Sequence, residues 1–231
     1  MIFIYYLFLF YIYSIIGWIA ETIYVSILDK KFVDRGFLIG PYCPIYGSGS
    51  LIIIIYLTQY KANPLTVFLL GVILCSILEY FTSYIMEKLF KARWWDYSNK
   101  KYNINGRVCI ENSCLFGLAS LGVIYIFQPL INNLIPHTNK SLLIITIIIS
   151  IIIITDIITS LKVVSSFKNT IKSIELKDST QEFTKLVKET LNKNKKYLQK
   201  RLYNSFPDID LSKIRNLKNE IKEDLKELIK K

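Results

Sequence analysis

Five acidic side chains lie inside stretches otherwise dominated by isoleucine, leucine, phenylalanine and tyrosine: Glu21, Glu79, Glu87, Glu111 and Asp156. A carboxylate costs about 2.5–3.5 kcal/mol at the centre of a membrane helix, so each of these positions calls for a partner or a use. Ser76, Glu79, Ser83 and Glu87 follow one another at intervals of three or four residues, which places them on one face of a helix. Gly17 and Glu21 repeat that spacing upstream, and Gly17 and Gly71 allow neighbouring helices to approach closely. The chemistry open to such a set is that of a polar site enclosed by apolar helices. Glu21 and Glu79 would line it, and Arg35 and Arg107 would balance their charge. Glu87 and Glu111 fall nearer the ends of their runs, where pairing with Lys88, Arg93 or Arg107 accounts for them. Arg107 and Glu111 stand at the helical i,i+4 spacing and are expected to pair locally.

The elements that must position these residues are apolar runs at 2–28, 45–60, 65–90, 108–135 and 142–161. A helix crosses the roughly 30 Å hydrocarbon core in about 20 residues. With 52% hydrophobic residues and a formal net charge of +11, the 231-residue chain reads as an all-α, polytopic membrane helix bundle of five transmembrane helices. The first run has no basic residue ahead of it and continues through Trp18 and Glu21 without a small-x-small cleavage site, so it reads as a retained span, not a secretory signal. The second run is short and opens on "PIYGSGS"; read as re-entrant, it would put Lys88, Lys91, Arg93, Lys100, Lys101 and Arg107 outside. The positive-inside bias favours a crossing, with the N-terminus outside and the C-terminus inside. All five acids then fall in the cytoplasmic half.

Two cytoplasmic loops follow from this topology. "DKKFVDRGFLIGPYCPIYGSG" is rich in glycine and proline and predicts a defined irregular path, tolerated at membrane depth only where it is buried in protein or lines a cavity. "FKARWWDYSNKKYNINGR" joins the third and fourth runs; Trp94, Trp95 and Tyr97 suit a membrane interface, while Asp96, Asn103, Asn105, Gly106 and Arg107 predict a loop with internal hydrogen bonds. Gly47 and Gly49 lack the preceding strand and following Gly-Lys-Ser/Thr of a phosphate loop. The chain has no ATP-binding motif.

The remaining chemistry is sparse. Cys43, Cys75, Cys109 and Cys114 form no CxxC pair and read as buried small apolar side chains; with the single His137 they fall short of a metal cage. No Ser-His-Asp set, HExxH or aspartate-rich diphosphate motif is present, so no enzyme activity and no cofactor are expected. An inner-leaflet enzyme using its carboxylates as acid and base on a lipid-linked substrate is the alternative, followed by a regulatory or scaffold protein worked by its tail.

That tail, residues 162–231, carries 18 Lys/Arg against 10 Asp/Glu. A first amphipathic helix opens with a capping box, Ser179 to Glu182, and lines up Phe183, Leu186, Leu191, Leu198 and Leu202. A second repeats Ile214, Leu217, Ile221, Leu225 and Leu228 as a short coiled-coil-like seam, a surface for oligomers. Basic amphipathic helices beside a bilayer lie on anionic lipid or pack on a partner helix. All but Arg201 and Arg215 of the tail's basic groups are lysine, and no base-reading motif occurs, so no specific nucleic-acid partner is expected.

Four blocks in order, "GWIAETIYV", "DRGFLIGPYCPIYGSG", "LEYFTSYIMEKLFKARWWDYS" and "NINGRVCIENS", resemble the ABC-transporter permease family of the type IV, CmpB-like kind. The resemblance runs from Gly17 to Pro129. It implies a multi-span bacterial cell-membrane protein related to transport, with a separate ATPase subunit as partner. Its family-type positions here are Glu21, Arg35, Glu79, Trp95, Asp96, Tyr97, Gly106 and Arg107. The family pattern usually has Asn at the position of Asp34 and more often an uncharged residue at that of Glu111. The abundance of Ile, Lys, Asn and Tyr suits a low-GC bacterial genome.

Overall fold

Isoleucine-rich runs bury their backbone polarity in helices, and the computed structural model, which describes residues 2–135, 140–173 and 197–206, is a helical bundle. Helix α1 spans Ile2–Leu28, α2 Pro44–Leu57 and α3 Pro64–Phe90. A two-stranded hairpin, β1 (Asn103–Ile104) with β2 (Val108–Cys109), precedes α4 (Ile110–Gly122). A π-helical turn, Val123–Phe127, carries α4 into α5 (Gln128–Leu134); α6 (Lys140–Ser173) and α7 (Tyr197–Ser205) complete the described chain. The π turn has a local cause: Pro129 has no N–H for the carbonyl four residues back, and its ring crowds that carbonyl, so the helix widens one turn earlier.

Among the described residues, four helices are long and apolar enough to cross a membrane: Ile2–Leu28, Pro64–Phe90, Ile110–Leu134 and Lys140–Phe167. Their outer faces carry Ile73, Ile77, Leu118, Ile126, Ile144, Ile148, Ile151 and Ile154, all exposed, as lipid-facing surfaces require. The second predicted span differs from these. Helix α2 has 14 residues, about 21 Å at 1.5 Å per residue, and a 3-10 turn, Thr58–Tyr60, extends it. It starts beside the middle of α1, where the Cys43 N–H donates to the Ser14 carbonyl at 2.9 Å. Its far end, Leu57, is buried with Tyr5, Phe8 and Val67 at the opposite end of the bundle. The preceding irregular segment therefore climbs to the depth of Ser14, and α2 continues from there.

Small residues make these crossings possible. A Cβ on Gly17 would come within 2.2 Å of Tyr46, and one on Gly71 within 2.2 Å of Ser120, so the expected close approaches are α1 with α2 and α3 with α4. The start of α3 is set by Asn63, whose side chain accepts from the Thr66 N–H at 3.2 Å, and by Pro64 in its first turn.

Beyond the apolar bundle, at the end where α1 and α3 finish, the two long loops and α7 form a cap. Trp94 is 3% exposed and packs edge-on against Phe37, Phe90 and Phe206, with Val164, Phe167 and Leu202 completing the cluster. The interfacial-anchor reading of Trp94 is thus corrected: its ring is core to the cap. Helix α6 runs unbroken past Leu161 to Ser173. Of the two tail helices expected from the sequence, the capping box at Ser179 and the seam from Ile214 to Leu228 lie outside the described residues.

Candidate functional site

Helices α1 and α3, both packed on α2, reach the cap at the same end, and their acids face inward, as the three-and-four spacing requires. Glu79, Ser83 and Glu87 are all buried, and Ser76 shares a hydrogen bond of 2.7 Å with Ser113 of α4. Each buried acid meets a different set of partners, and the loops supply most of them.

Glu21 takes Arg35 from the first loop. The guanidinium Nη2 and Nε lie 2.9 and 3.0 Å from the same carboxylate oxygen, Oε1. Arg35 is itself held on three sides: its carbonyl accepts from Trp18 Nε1 at 2.7 Å, its Nη1 donates to the Ser205 carbonyl of α7, and its guanidinium stacks 5.2 Å from the Phe206 ring centroid. The Tyr46 phenol and the Cys43 thiol face the same carboxylate.

Glu87 takes two arginines from the second loop. Arg107 Nη2 approaches Oε2 at 2.7 Å and Arg93 Nε approaches it at 3.2 Å. Arg107 also donates to Ser83 Oγ at 3.1 Å and lies 5.7 and 5.5 Å from the ring centroids of Tyr80 and Tyr84. The expectation that Arg107 balances Glu79 and pairs with Glu111 is corrected here. Helix α4 begins only at Ile110, so Arg107 belongs to the hairpin turn and the i,i+4 geometry does not apply. Glu111 is exposed and binds Lys100 at 2.6 Å, an ion pair that raises the ammonium's affinity for its proton.

The hairpin that aims Arg107 is built from the Asn-Gly pair. Asn105 and Gly106 have φ of 54° and 66°, the positive values that a type I′ turn needs at both central positions, and the Arg107 N–H closes the turn on the Ile104 carbonyl at 3.0 Å. Asn103 Oδ1 accepts from the Gly106 N–H at 2.8 Å, Trp95 Nε1 donates to the Arg107 carbonyl at 3.1 Å, and the Tyr97 N–H to the Gly106 carbonyl at 2.8 Å. Asp96 Oδ1 gathers Ser98 Oγ at 2.6 Å, the Ser98 N–H at 3.0 Å and Arg93 Nη1 at 3.3 Å. Burial works to raise the Asp96 carboxyl, yet these hydrogen bonds and the Arg93 charge outweigh it and hold it below the ordinary carboxylate range.

Glu79 lies between the two arginine-bearing pairs. Its Oε1 accepts from the Tyr97 hydroxyl at 3.2 Å, and that hydroxyl accepts from Asn112 Nδ2 at 2.6 Å. Burial, then the Glu79 charge, push the Tyr97 phenol well above its usual pKa, keeping it a neutral donor. Among the described residues, Glu79 Oε2 is buried without a hydrogen-bond partner.

All seven residues singled out in the sequence, Glu21, Arg35, Glu79, Trp95, Asp96, Tyr97 and Arg107, therefore sit in one interconnected region. Two further contributors were not placed there. The sequence places Glu87 in interfacial pairing; it does pair with Arg93 and Arg107, but in a buried position. Asp156 of α6 was recognised only as an intramembrane acid. It receives the N–H groups of Ile39 and Gly40 at 3.1 and 2.7 Å together with the Tyr42 hydroxyl, and so pins the irregular segment to the bundle. The signal for that role was present in "GFLIGPY", whose non-helical backbone needs acceptors and donors from elsewhere. The departure at Asp34 also has a partner: Arg201 Nε of α7 binds its carboxylate at 2.7 Å.

A family model described as "Putative ABC-transporter type IV" matches residues 8–161. The chain belongs to this family. The matched region in this type IV ABC-transporter member extends beyond the four blocks read from the sequence, taking in most of α1 and α6 up to Leu161. It contains every acid and arginine of the site except Arg201. Comparison with curated proteins and with solved structures gives no match.

Proposed function

We propose that this chain is the membrane-embedded permease subunit of a bacterial transport system, with its polar site in the cytoplasmic half of the cell membrane. Family membership and four helices of membrane-spanning length support the transport-related class. The observation that carries the finer reading is the convergence of Glu21, Glu79 and Glu87 with Arg35, Arg93 and Arg107 at the one end of the bundle that both irregular loops close. Charged groups are kept at such depth where they serve a pathway or a gate.

In this reading the segment before α2 and α2 together make a fifth crossing, with the N-terminus outside. Lys61 would lie outside, and Lys30, Lys31, Arg35, Lys88 and the second loop inside, which is the distribution the positive-inside bias selects. The two cytoplasmic loops gate the site or dock a separate ATPase, since the chain carries no nucleotide-binding motif. The test is purification of the tagged full-length protein from its native membranes in mild detergent, with mass spectrometry of stoichiometric partners. A nucleotide-binding ATPase whose recovery falls on substitution of Lys100 and Lys101 supports the reading. Recovery of the protein alone, with its helices folded, refutes the ABC-type arrangement.

A further inference from the structure

The four acids that the long helices carry to the cap end, Glu21, Glu79, Glu87 and Asp156, are not equivalent. Glu21 has Arg35, Glu87 has Arg93 and Arg107, and Asp156 has two backbone N–H groups, Tyr42 and Ser160. Glu79 is 5% exposed, receives one hydrogen bond through Oε1 and leaves Oε2 bare. No cationic side chain among the described residues forms a salt bridge with it.

The groups facing Glu79 come from every element packed around it. Helix α1 brings Glu21, a like charge already bonded to Arg35. Helix α2 brings Tyr46, which faces Glu21. The second loop brings Tyr97, and Arg107 of that loop is committed to Glu87 and Ser83. Helix α4 brings Asn112, which donates to Tyr97, while Cys109 precedes that helix and Cys75 lies one turn back on α3. None of these neutralises a carboxylate. A buried ion without a partner costs far more than a buried neutral carboxyl, so the environment selects the uncharged form or an added cation.

We propose that Glu79 is a proton-binding site, carrying an exchangeable proton on its bare oxygen in the resting bundle. The step is a simple proton transfer: the O–H bond of the carboxyl breaks, water at the cap end takes the proton, and the electron pair stays on Oε2. The carboxylate left behind is held by Tyr97 alone and repelled by Glu21, so its formation favours a rearrangement that brings a cation or water to Oε2. Tyr97 lies in the same loop as Arg93 and Arg107, so the charge on Glu79 is mechanically tied to the loop that closes the site. This inference deepens the transport reading, but its readout needs neither substrate nor ATPase.

The experiment is labelling of the purified full-length protein in detergent with dicyclohexylcarbodiimide, which attacks protonated carboxyls in apolar surroundings, followed by peptide mapping across a pH series. The expected result is preferential modification at Glu79 over the arginine-paired Glu21 and Glu87, falling about tenfold for each pH unit above its titration midpoint. An infrared pH titration of the same protein should show a protonated-carboxyl band that Glu79→Gln removes and Glu21→Gln and Glu87→Gln retain. Absence of that band at every pH overturns the proposal, whatever the labelling, because it needs no reagent access. Protection of Glu79 from labelling by sodium or potassium at fixed pH also overturns it, by assigning the bare oxygen to a metal cation. Both results stand apart from partner recovery: the proton site can fail while the ATPase co-purifies, and the reverse.

Discussion

Glu87 shows how much one side chain can organise when it is buried and doubly paired. Its Oε2 is shared by Arg107 at 2.7 Å and Arg93 at 3.2 Å, and Arg93 passes the connection on to Asp96. Removing the carboxylate charge leaves the buried Arg107 uncompensated, a situation that costs about 3–5 kcal/mol. Glu87→Gln should therefore lower the thermal unfolding midpoint in detergent markedly. Combined with Arg107→Met it should lose less than the sum of the single losses, since the stranded charge is gone; strict additivity would show that the pair is not coupled. Asp96 acts differently, through hydrogen bonds that depress its folded-state pKa below the unfolded value near 3.9. The sign follows directly: its contribution is in place above that value and disappears as pH falls through the lower, folded one. Asp96→Asn should destabilise the protein at neutral pH, and the gap from wild type should close under acid conditions below about pH 4. A gap that widens on acidification would contradict the assignment.

At the scale of elements, the helices were legible because an apolar run of about 20 residues has few alternatives in lipid, whereas the irregular connections were legible only as irregular. The glycines and the proline of residues 29–43 say that the chain leaves the helix there. They do not say that it climbs to the level of Ser14, because that path depends on Asp156, more than a hundred residues away. Arg107 was misread for a related reason: helical spacing was applied to a residue that precedes the helix, although the Asn-Gly pair just before it is a strong hairpin signal. Glu21 and Glu79 are legible because acids inside apolar runs stand out singly, while Arg35, Trp95, Asp96, Tyr97 and Arg107 come from the loops and the family resemblance, and which of them meet depends on loop geometry. That hairpin gives a sharp test. Gly106 sits at φ 66°, and a Cβ there would come within 2.3 Å of Asp96 Oδ1 and 2.4 Å of Ser98 Oγ. Gly106→Ala should cost more than the roughly 1 kcal/mol of a strained backbone, because both conformation and space oppose it. Gly106→Asn, which tolerates positive φ, should not rescue stability; recovery with Asn would mean that only the backbone conformation matters.

For the whole molecule, charge and fold agree on a single polarity. The arginines that hold the acids, the lysines of both long loops and the basic α7 gather at the end where α1 and α3 finish, while Lys61 follows α2 at the other end. Helix α7 adds a chain-wide tie, because Arg201 binds Asp34 and the Ser205 carbonyl receives Arg35, joining the tail to the loop that neutralises Glu21. What decides the polarity in a membrane is whether residues 29–60 carry the chain across. The segment reaches from the C-terminal end of α1 to the level of Tyr5 and Phe8, yet only α2 is regular helix, so length alone does not establish a crossing. Single cysteines at Lys31 and Lys61, in a background with the exposed Cys114 replaced, can be labelled in intact cells with a membrane-impermeant maleimide. Five crossings with the N-terminus outside require that Lys61→Cys react from outside and that Lys31→Cys react only after the membrane is opened. Labelling of both positions from the same side would remove the fifth crossing, and the reverse pattern would keep five crossings but invert the bundle. The first outcome places the Glu79 region and the arginine-rich loop in the cytoplasmic half, where an ATPase could reach them.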